Sequence, residues 1–281
     1  MFDCAVVGSG VAGISAALTL KANGKSFVLL GAPDLSAKIG SAECIRNYPG
    51  LSSVSGQAFC QALKEQLKEM DISVTAERVT GVYALKDKFS LLTESGAAFE
   101  SKTVILTTGV EAVKQIPGEA EFIGRGVSYC ATCDGFLYKG KTIAVLCTSK
   151  RFEHEIEYLA DLAKKVYLIP LYKNIAVRKE NIEKIVKMPT GIAGGLRAQK
   201  LLFKEEELPV DGIFMLKESV SPAVLVGGLE MENGHVKVNR DMSTNLKGCF
   251  AAGDCTGRPY QYAKAAGEGN VAAHAVCEMK E

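Results

Sequence analysis

The chain has 281 residues, a net charge of +1 and an apolar fraction of 47%. A chain of this length can bury two cores of ordinary size, and a net charge near zero gives no reason to expect a nucleic-acid or membrane-surface partner. No apolar run approaches the roughly 20 residues that cross a bilayer. An odd number of scattered cysteines, nine in all, indicates a reducing compartment rather than a secreted disulfide scaffold. Since its start has no signal-peptide pattern, we expect a cytoplasmic protein.

The hydrophobic pattern predicts alternating strands and helices, with two separate strand–turn–helix openings. In chain order the predicted elements are strand 2–7, helix 12–22, strand 27–30, helix 56–70, short strands within 72–107, strand 142–146, helix 150–163, strand 166–169, strand 248–252 and helix 263–278. Two such openings predict an α/β fold with two doubly wound, Rossmann-like, three-layer domains. Because the last strand and helix resemble a return to the first domain, we expect the second domain, residues 117–240, to be inserted into a first domain formed by residues 1–113 and 243–281.

A glycine-rich turn follows the first strand and opens the first helix, with the sequence Gly8-Ser9-Gly10-Val11-Ala12-Gly13. In this context the pattern is typical of a dinucleotide site. The first glycine permits a tight turn, the second lets the backbone approach a pyrophosphate, and the third lets helix and strand pack closely. The acid that usually binds ribose at the end of the second strand is missing, because Gly31 and Ala32 stand there with Asp34 close by.

Two later segments indicate that the dinucleotide is FAD. Thr107-Thr108-Gly109 ends a strand with small residues, where a bulky side chain obstructs a cofactor. Gly253-Asp254 also ends a strand, and the Asp254 carboxylate can accept a hydrogen bond from the ribityl chain of a flavin. The helix that follows directs its positive end at the region where a reduced flavin is anionic.

Cys130 and Cys133 have the spacing of a redox pair. On a helical turn their sulfurs reach one face and can form a disulfide, and motifs of this kind lower the pKa of one thiol. A zinc site needs further ligands, but the sequence has no second C-x-x-C and no paired histidines. Asp134 follows directly and can relay a proton during thiol exchange. The pattern therefore predicts a redox dithiol and no metal site.

Over nearly the whole chain, these motifs resemble in order those of low-molecular-weight thioredoxin reductases. The resemblance rests on Gly8–Gly13, Asn47–Gly50, Thr107–Gly109, Cys130–Asp134, Phe250–Asp254 and Ala265–Gly269. It implies FAD as cofactor, thioredoxin as partner and a homodimer. It also implies that Cys133 faces the flavin, that Cys130 attacks the partner disulfide and that Asp134 is the acid. The residues expected to bind FAD are Gly8, Ser9, Gly10, Val11, Ala12, Gly13, Gly31, Ala32, Lys38, Ile39, Asn47, Gly109, Gly253, Asp254, Gln261, Tyr262 and Ala263.

The second opening lacks the features with which thioredoxin reductases bind NADPH. Its turn reads Cys147-Thr148-Ser149-Lys150-Arg151-Phe152, and Phe152 stands where close packing demands Gly or Ala. The next strand ends in Pro170-Leu171-Tyr172, where the family has a histidine and two arginines for the 2′-phosphate. This pattern resembles the ferredoxin-dependent flavin thioredoxin reductases and implies reduced ferredoxin as the electron donor.

Local charge gives a second argument for an acidic ferredoxin as partner. We expect part of a basic patch from Lys139, Lys141, Lys150, Arg151, Lys164 and Lys165, with an ordinary solvated face as the alternative. Three other functions stay open at this point. They are an NADPH-dependent enzyme with a divergent nucleotide site, a diflavin disulfide oxidoreductase with another donor, and a non-catalytic flavin-binding or redox-sensing module.

Overall fold

A computed structural model describes residues 1–35, 37–40, 42–110, 116–217 and 221–279, with the backbone alone at residues 37 and 38. The chain divides into a first unit, Met1–Val110 with Ser221–Glu281, and a second unit, Glu111–Val220. The second unit is therefore inserted into the first along the sequence. The expected domain limits, 1–113 with 243–281 and 117–240, stay predictions. The division by contacts returns to the first unit at Ser221, earlier than residue 243, and residues 111–115 lie outside the described part.

The N-terminal part of the first unit forms a mixed sheet. Its elements are β1 (Phe2–Val7), α1 (Val11–Ala22), β2 (Phe27–Leu30), α2 (Ala37–Gly40), α3 (Gly56–Glu69), β3 (Val74–Thr75), β4 (Val79–Ala84), β5 (Phe89–Thr93) and β6 (Ala98–Leu106). Strand β1 pairs in parallel with β2 and β6, and β2 pairs in parallel with β3. Strands β4, β5 and β6 are antiparallel neighbours.

The second unit contains two sheets. Its elements are β7 (Val127–Ser128), α4 (Ala131–Asp134), β8 (Thr142–Cys147), α5 (Glu153–Leu162), β9 (Lys165–Pro170), β10 (Ile182–Lys184), β11 (Gly191–Gly194), β12 (Ala198–Leu202), β13 (Glu207–Pro209) and β14 (Gly212–Leu216). One sheet is parallel with the strand order β10-β9-β8-β14-β7, and the other is antiparallel and formed by β11, β12 and β13. Short 3₁₀ turns at Gly135–Tyr138 and Lys150–Phe152 follow α4 and precede α5.

The C-terminal part completes the first unit. It contains α6 (Pro222–Leu225), β15 (Met231–Glu232), β16 (His235–Val236), β17 (Cys249–Ala251) and α7 (Tyr262–Glu278). Strand β17 pairs in parallel with β6, and α7 packs against α1 so closely that a Cβ on Gly269 would lie 2.1 Å from the Ala12 carbonyl oxygen. Since the carboxyl ends of parallel strands share one edge, the loops after β1, β2, β6 and β17 meet there.

Helix α3 shows how local sequence sets an element and its buried face. The Ser55 hydroxyl caps it by accepting from the Ala58 amide at 3.1 Å, which is the preferred role of serine at this position. Phe59, Leu63 and Leu67 recur every fourth residue and are buried in the core of the first unit. That spacing places their side chains on one side of the helix.

Most predicted elements are found within one or two residues of their expected limits, and the α/β, Rossmann-like fold class is confirmed. The helix expected at 150–163 is different at its start, because residues Lys150–Phe152 form a 3₁₀ turn and α5 begins at Glu153. The antiparallel sheet of the second unit was not predicted. Among the described residues, no helix combines the length and apolar character that crossing a bilayer requires.

Candidate functional site

The turn after β1 leaves no room for a side chain at Gly8 or Gly13. Gly8 has a φ of +121°, a conformation that favours glycine, and a Cβ there would lie 2.4 Å from the Thr107 carbonyl oxygen. A Cβ on Gly13 would lie 1.9 Å from the Gly8 carbonyl oxygen. Gly10 is the N-cap of α1 and has no side chain with which to cap the helix. The positive end of α1 therefore suits an anion such as a pyrophosphate.

Ser9 joins the ends of β1 and β2. Its hydroxyl donates to the Ala32 carbonyl at 2.8 Å, and a Cβ on Gly31 would lie 2.6 Å from the Ser9 Oγ. These three predicted residues are thus brought together. Asp34, the acid nearest to the missing ribose-binding position, is exposed and pairs with Lys64 at 2.9 Å. Its charge is engaged in a surface ion pair.

The turn after β17 lies against the turn after β1. Gly253 has a φ of +87°, and a Cβ on it would lie 2.9 Å from the Cβ of Ala12. Asp254 follows in a 3₁₀ turn and is half-buried. The structure therefore brings Gly253 next to the glycine-rich turn, and Asp254 follows it directly.

A charged clamp holds this second turn, and the sequence analysis missed its lysine. The Lys264 ammonium donates to the carbonyl oxygens of Gly253 at 2.7 Å and Gly257 at 2.8 Å. Glu268 accepts from the Gly253 amide at 2.8 Å and pairs with Lys264 at 3.0 Å. The four-residue spacing of a lysine and a glutamate on the helix after a Gly-Asp turn is the signal that could have found it.

Asn47, Gln261 and Tyr262 come together at the start of α7. The Asn47 side-chain amide donates to the Gln261 side-chain oxygen. The Tyr262 ring meets the Phe59 ring edge-on, with 5.8 Å between centroids. These contacts fix the first turn of α7 against the core.

Four other residues were predicted to bind FAD, and the structure gives fewer contacts for them. Ile39 is buried in the core of the first unit, Gly109 has a φ of +68°, and Ala263 is half-buried. The Lys38 side chain lies outside the described residues. None of these observations assigns them a ligand.

The arrangement fits a dinucleotide cofactor. Gly8, Gly13 and Gly31 each stand where a Cβ would collide with neighbouring atoms, so the backbone approaches closely around a concave turn. The N-cap residues of α1 and α7, Gly10 and Gln261, make no side-chain capping hydrogen bond. Two positive helix ends are therefore presented at one edge of the sheet.

The dithiol lies in the second unit. Cys130 and Cys133 form a disulfide, which agrees with the predicted redox pair. Cys130 is the N-cap of α4, and its sulfur accepts from the Cys133 amide at 3.1 Å. Cys130 is buried, Cys133 is exposed and Asp134 is half-buried. Exposure alone does not distinguish a flavin-facing sulfur from a partner-facing one, so the roles of the two cysteines stay predictions.

The turn after β8 differs from the turn after β1 because its own side chains close it. Phe152 is 1% exposed and belongs to the core of the second unit. The Cys147 thiol donates to the Ser149 carbonyl at 3.2 Å, and the Thr148 amide donates to the Leu216 carbonyl at 2.9 Å. The turn is thereby tied to the neighbouring strand β14.

Buried titrating groups surround this closed turn. Burial raises the pKa of the Cys147 thiol to about 11. Burial also raises the pKa of Tyr172, whose hydroxyl donates to Glu153 at 3.1 Å. Both groups are therefore neutral at physiological pH. Since a thiol and a phenol never carry a positive charge, neither supplies a cation for a nucleotide phosphate.

The structure separates the expected basic patch into two groups. The Lys164 amide donates to the Lys141 carbonyl at 2.8 Å, so these residues lie together at the start of β8 and β9. Lys150 and Arg151 follow the other end of β8, and a six-residue strand spans roughly 20 Å. Lys165 is in addition paired with Glu183 at 2.8 Å. The six residues therefore lie near two ends of strand β8, and the basic patch stays a prediction.

Comparisons with known proteins agree with this geometry. The sequence profile described as "Pyridine nucleotide-disulphide oxidoreductase" matches residues 2–187 and 172–269. The thioredoxin reductase of Helicobacter pylori is 35% identical and the match covers 100% of this chain and 99% of that protein. The thioredoxin reductase of Aquifex aeolicus is 32% identical, and the match covers 90% of this chain and 85% of that protein. A ferredoxin-flavin thioredoxin reductase from Clostridium acetobutylicum, known from a crystal structure, is 45% identical in sequence. The two structures superpose with a TM-score of 0.88, and the match covers 99% of this chain and 97% of that chain.

The profile match, the two curated relatives and the shared fold agree on one class of protein. The chain is a flavin-dependent disulfide oxidoreductase of the thioredoxin reductase type, and FAD is the cofactor of its class. The chain belongs to the pyridine nucleotide-disulphide oxidoreductase family.

Proposed function

We propose that this protein takes electrons from a reduced ferredoxin and uses FAD and the Cys130–Cys133 pair to reduce the disulfide of a thioredoxin. The observation that carries the proposal is the closed turn after β8. Phe152 is buried where a nucleotide-binding turn needs a small residue. The 45% identity to a ferredoxin-flavin thioredoxin reductase supports the same donor.

The end of β9 gives independent support. A site for the 2′-phosphate of NADPH needs cationic side chains that can bind phosphate oxygens. Pro170 ends β9 here, and Tyr172 is engaged with Glu153. Both halves of a nicotinamide-nucleotide site are therefore replaced by packed or neutral groups.

Redox energetics permit this direction of transfer. Thioredoxin has a potential near about −270 mV and plant-type ferredoxins lie near about −400 mV. The difference of roughly 130 mV corresponds to about 6 kcal/mol for a two-electron couple. When bound, FAD supplies the conversion between single electrons and electron pairs.

The chain's own residues hold the cofactor and carry out the exchange with thioredoxin. We propose that the glycine-rich turn, the Gly31–Ala32 segment and Asp254 hold FAD. Cys130, as a thiolate, attacks the thioredoxin disulfide and forms a mixed disulfide. Cys133 then attacks Cys130, which restores the Cys130–Cys133 bond and releases thioredoxin as a dithiol, while Asp134 transfers a proton to the leaving sulfur.

A homodimer and a cytoplasmic location are also part of the proposal. Both come from the resemblance to thioredoxin reductases and from the scattered cysteines. Sedimentation of the FAD-bound protein tests the first, and a monomer at all concentrations would contradict it.

An anaerobic titration of the flavin absorbance tests the donor. Reduced ferredoxin is expected to bleach the flavin rapidly, whereas NADPH and NADH at equal concentration leave it oxidised. Rapid bleaching by NADPH would establish instead a divergent nucleotide site. A second flavin released per chain on denaturation would indicate a diflavin enzyme with another donor.

Serine variants test the dithiol. Cys130→Ser and Cys133→Ser are each expected to abolish thioredoxin reduction while ferredoxin still bleaches the flavin. Cys133→Ser is further expected to trap thioredoxin on Cys130 as a mixed disulfide. Cys44→Ser is the matched control, because Cys44 is an exposed free cysteine. Unchanged turnover in the Cys130 variant would support a non-catalytic, redox-sensing role.

A further inference from the structure

A buried ion pair lies in the second unit, outside every motif that identifies the family. The Lys217 ammonium donates to Glu119 Oε1 at 2.6 Å. Glu119 is 0% exposed and Lys217 is 2% exposed. Lysine and glutamate are almost never fully buried unless paired, and taking two charges out of water carries a desolvation penalty that can exceed their attraction. Such a pair calls for a reason beyond stability.

The carboxylate of Glu119 gathers further groups around it. Its Oε2 accepts from the Ile116 amide at 2.9 Å. Its Oε1 accepts from the Tyr129 hydroxyl as well as from Lys217. The Lys217 ammonium also lies 5.9 Å from the centroid of the Tyr129 ring. Glu119 thus connects Lys217 to Tyr129.

Tyr129 connects this cluster to the redox pair. It directly precedes Cys130 in the chain, and Ser128 on its other side holds Cys130 through two hydrogen bonds, from the Cys130 amide at 3.1 Å and to the Cys130 carbonyl at 3.2 Å. Strand β7 pairs with β14, and Lys217 follows the last residue of β14. The ion pair and Cys130 therefore lie at neighbouring strand ends.

We infer that Lys217 and Glu119 are positioning residues that fix Tyr129 and the adjoining Cys130, and that their balanced charges set the midpoint potential of the Cys130–Cys133 couple. Reduction breaks the sulfur–sulfur bond and adds two electrons and two protons, and the Cys130 thiol can then release one proton as it becomes a thiolate. A nearby positive charge stabilises that thiolate and makes the disulfide easier to reduce. With Glu119 ionised, the field of Lys217 is largely cancelled.

The charge balance predicts that variants of Glu119 and of Lys217 shift the midpoint potential in opposite directions. Glu119→Gln keeps the shape but leaves the Lys217 ammonium without its counter-charge. The equilibrium with dithiothreitol is expected to shift roughly tenfold toward the reduced form, or about 30 mV less negative. Lys217→Met leaves the Glu119 carboxylate without its counter-charge, and a like charge disfavours the thiolate, so the potential is expected to become more negative. The double variant is expected to return close to the parent value.

The measurement uses the FAD-bound protein equilibrated with dithiothreitol redox buffers, followed by thiol labelling of Cys130 and Cys133. A second readout is the pH profile of Cys130 alkylation in the Cys133→Ser background, where Glu119→Gln is expected to move the thiol pKa downward. Lys200→Met and Glu207→Gln are matched controls, because that pair also spans 2.6 Å in the second unit but is exposed. Both control variants are expected to keep the parent potential.

Two further variants are conservative substitutions that test the inference even if the variants above fail to fold. Tyr129→Phe keeps the ring and removes only the hydroxyl tether, so it is expected to fold and to change the alkylation rate of Cys130 at least roughly twofold. Lys217→Arg keeps the charge and is expected to keep the potential. The inference is overturned if Glu119→Gln and Tyr129→Phe lower thermal stability but leave both the potential and the alkylation profile unchanged. The test requires no ferredoxin, so its failure is separate from a failure of the proposed donor.

Discussion

The two strand–turn–helix openings of this chain start from the same architecture and reach opposite results. After β1, an added Cβ at Gly13 would lie 1.9 Å from the Gly8 carbonyl oxygen, so the turn requires glycine there. After β8, the corresponding helix is preceded by Phe152, whose side chain is buried. A glycine in the first turn and a buried phenylalanine at the matching position of the second are therefore one clear difference between them.

The difference also shows what each turn contributes to the molecule. Burying a phenylalanine side chain stabilises a fold by roughly 1.5–3 kcal/mol, whereas a glycine inside a helix costs about 1 kcal/mol relative to alanine. Glycine in the turn after β1 thus costs stability but suits a cofactor, whereas the phenylalanine side chain in the turn after β8 adds to the hydrophobic core.

The largest effect on cofactor affinity is expected from Gly13→Ala. Its Cβ would overlap the Gly8 carbonyl, so the turn must open and FAD affinity is expected to fall by on the order of 100-fold, or about 2.7 kcal/mol. Flavin fluorescence on rebinding of FAD to the apoprotein measures this. Gly267→Ala is the matched control, because Gly267 is also helical and has no atom within 4 Å of an added Cβ. Equal affinity for both variants would show that the turn does not need its glycine.

The second prediction concerns the packed turn. Phe152→Ala is expected to destabilise the second unit by about 3–5 kcal/mol, because it leaves a cavity in the core. It is not expected to create an NADPH site, since Pro170 and Tyr172 still lack phosphate-binding cations. Urea unfolding and an anaerobic NADPH titration check both parts. Phe136→Ala is the control, since Phe136 is 68% exposed and an exposed side chain contributes little.

How far the sequence predicts this molecule depends on the range over which each feature is encoded. The glycine-rich turn, the strands beside it and the Cys130–Cys133 disulfide follow from spacing of a few residues, and all three are present. The pairing of Glu119 with Lys217 joins residues far apart in sequence, so no local pattern announces it. The expected basic patch stays a prediction, because strand β8 places its members at two ends of the strand.

The third prediction tests the Lys264–Glu268 clamp, which holds the turn after β17 beside the turn after β1. Lys264→Met removes the ammonium that donates to the Gly253 and Gly257 carbonyls and leaves Glu268 without its ion-pair partner. Each lost hydrogen bond to a charged group costs roughly 1.5–3 kcal/mol at most, and FAD affinity is expected to fall about tenfold. Lys237→Met is the control, because the Lys237–Glu230 pair is exposed in the same unit. Full affinity in the Lys264 variant would limit the clamp to a structural role.

The fourth prediction has the smallest expected effect and concerns the buried thiol of Cys147 in the turn after β8. Burial raises the pKa of the Cys147 thiol to about 11, so the folded thiol stays protonated after the unfolded one has ionised. The contribution of Cys147 to stability is therefore complete below about pH 9 and is lost as the pH rises toward about 11, because the unfolded state binds fewer protons there. Cys147→Ala is expected to flatten that part of the stability–pH curve. Peptide-level alkylation gives the complementary measurement: at about pH 8 the exposed Cys44 reacts quickly and Cys147 reacts only after unfolding. If Cys147 reacted as fast as Cys44 in the folded protein, the turn after β8 would be open, and the contrast between the two openings would fail.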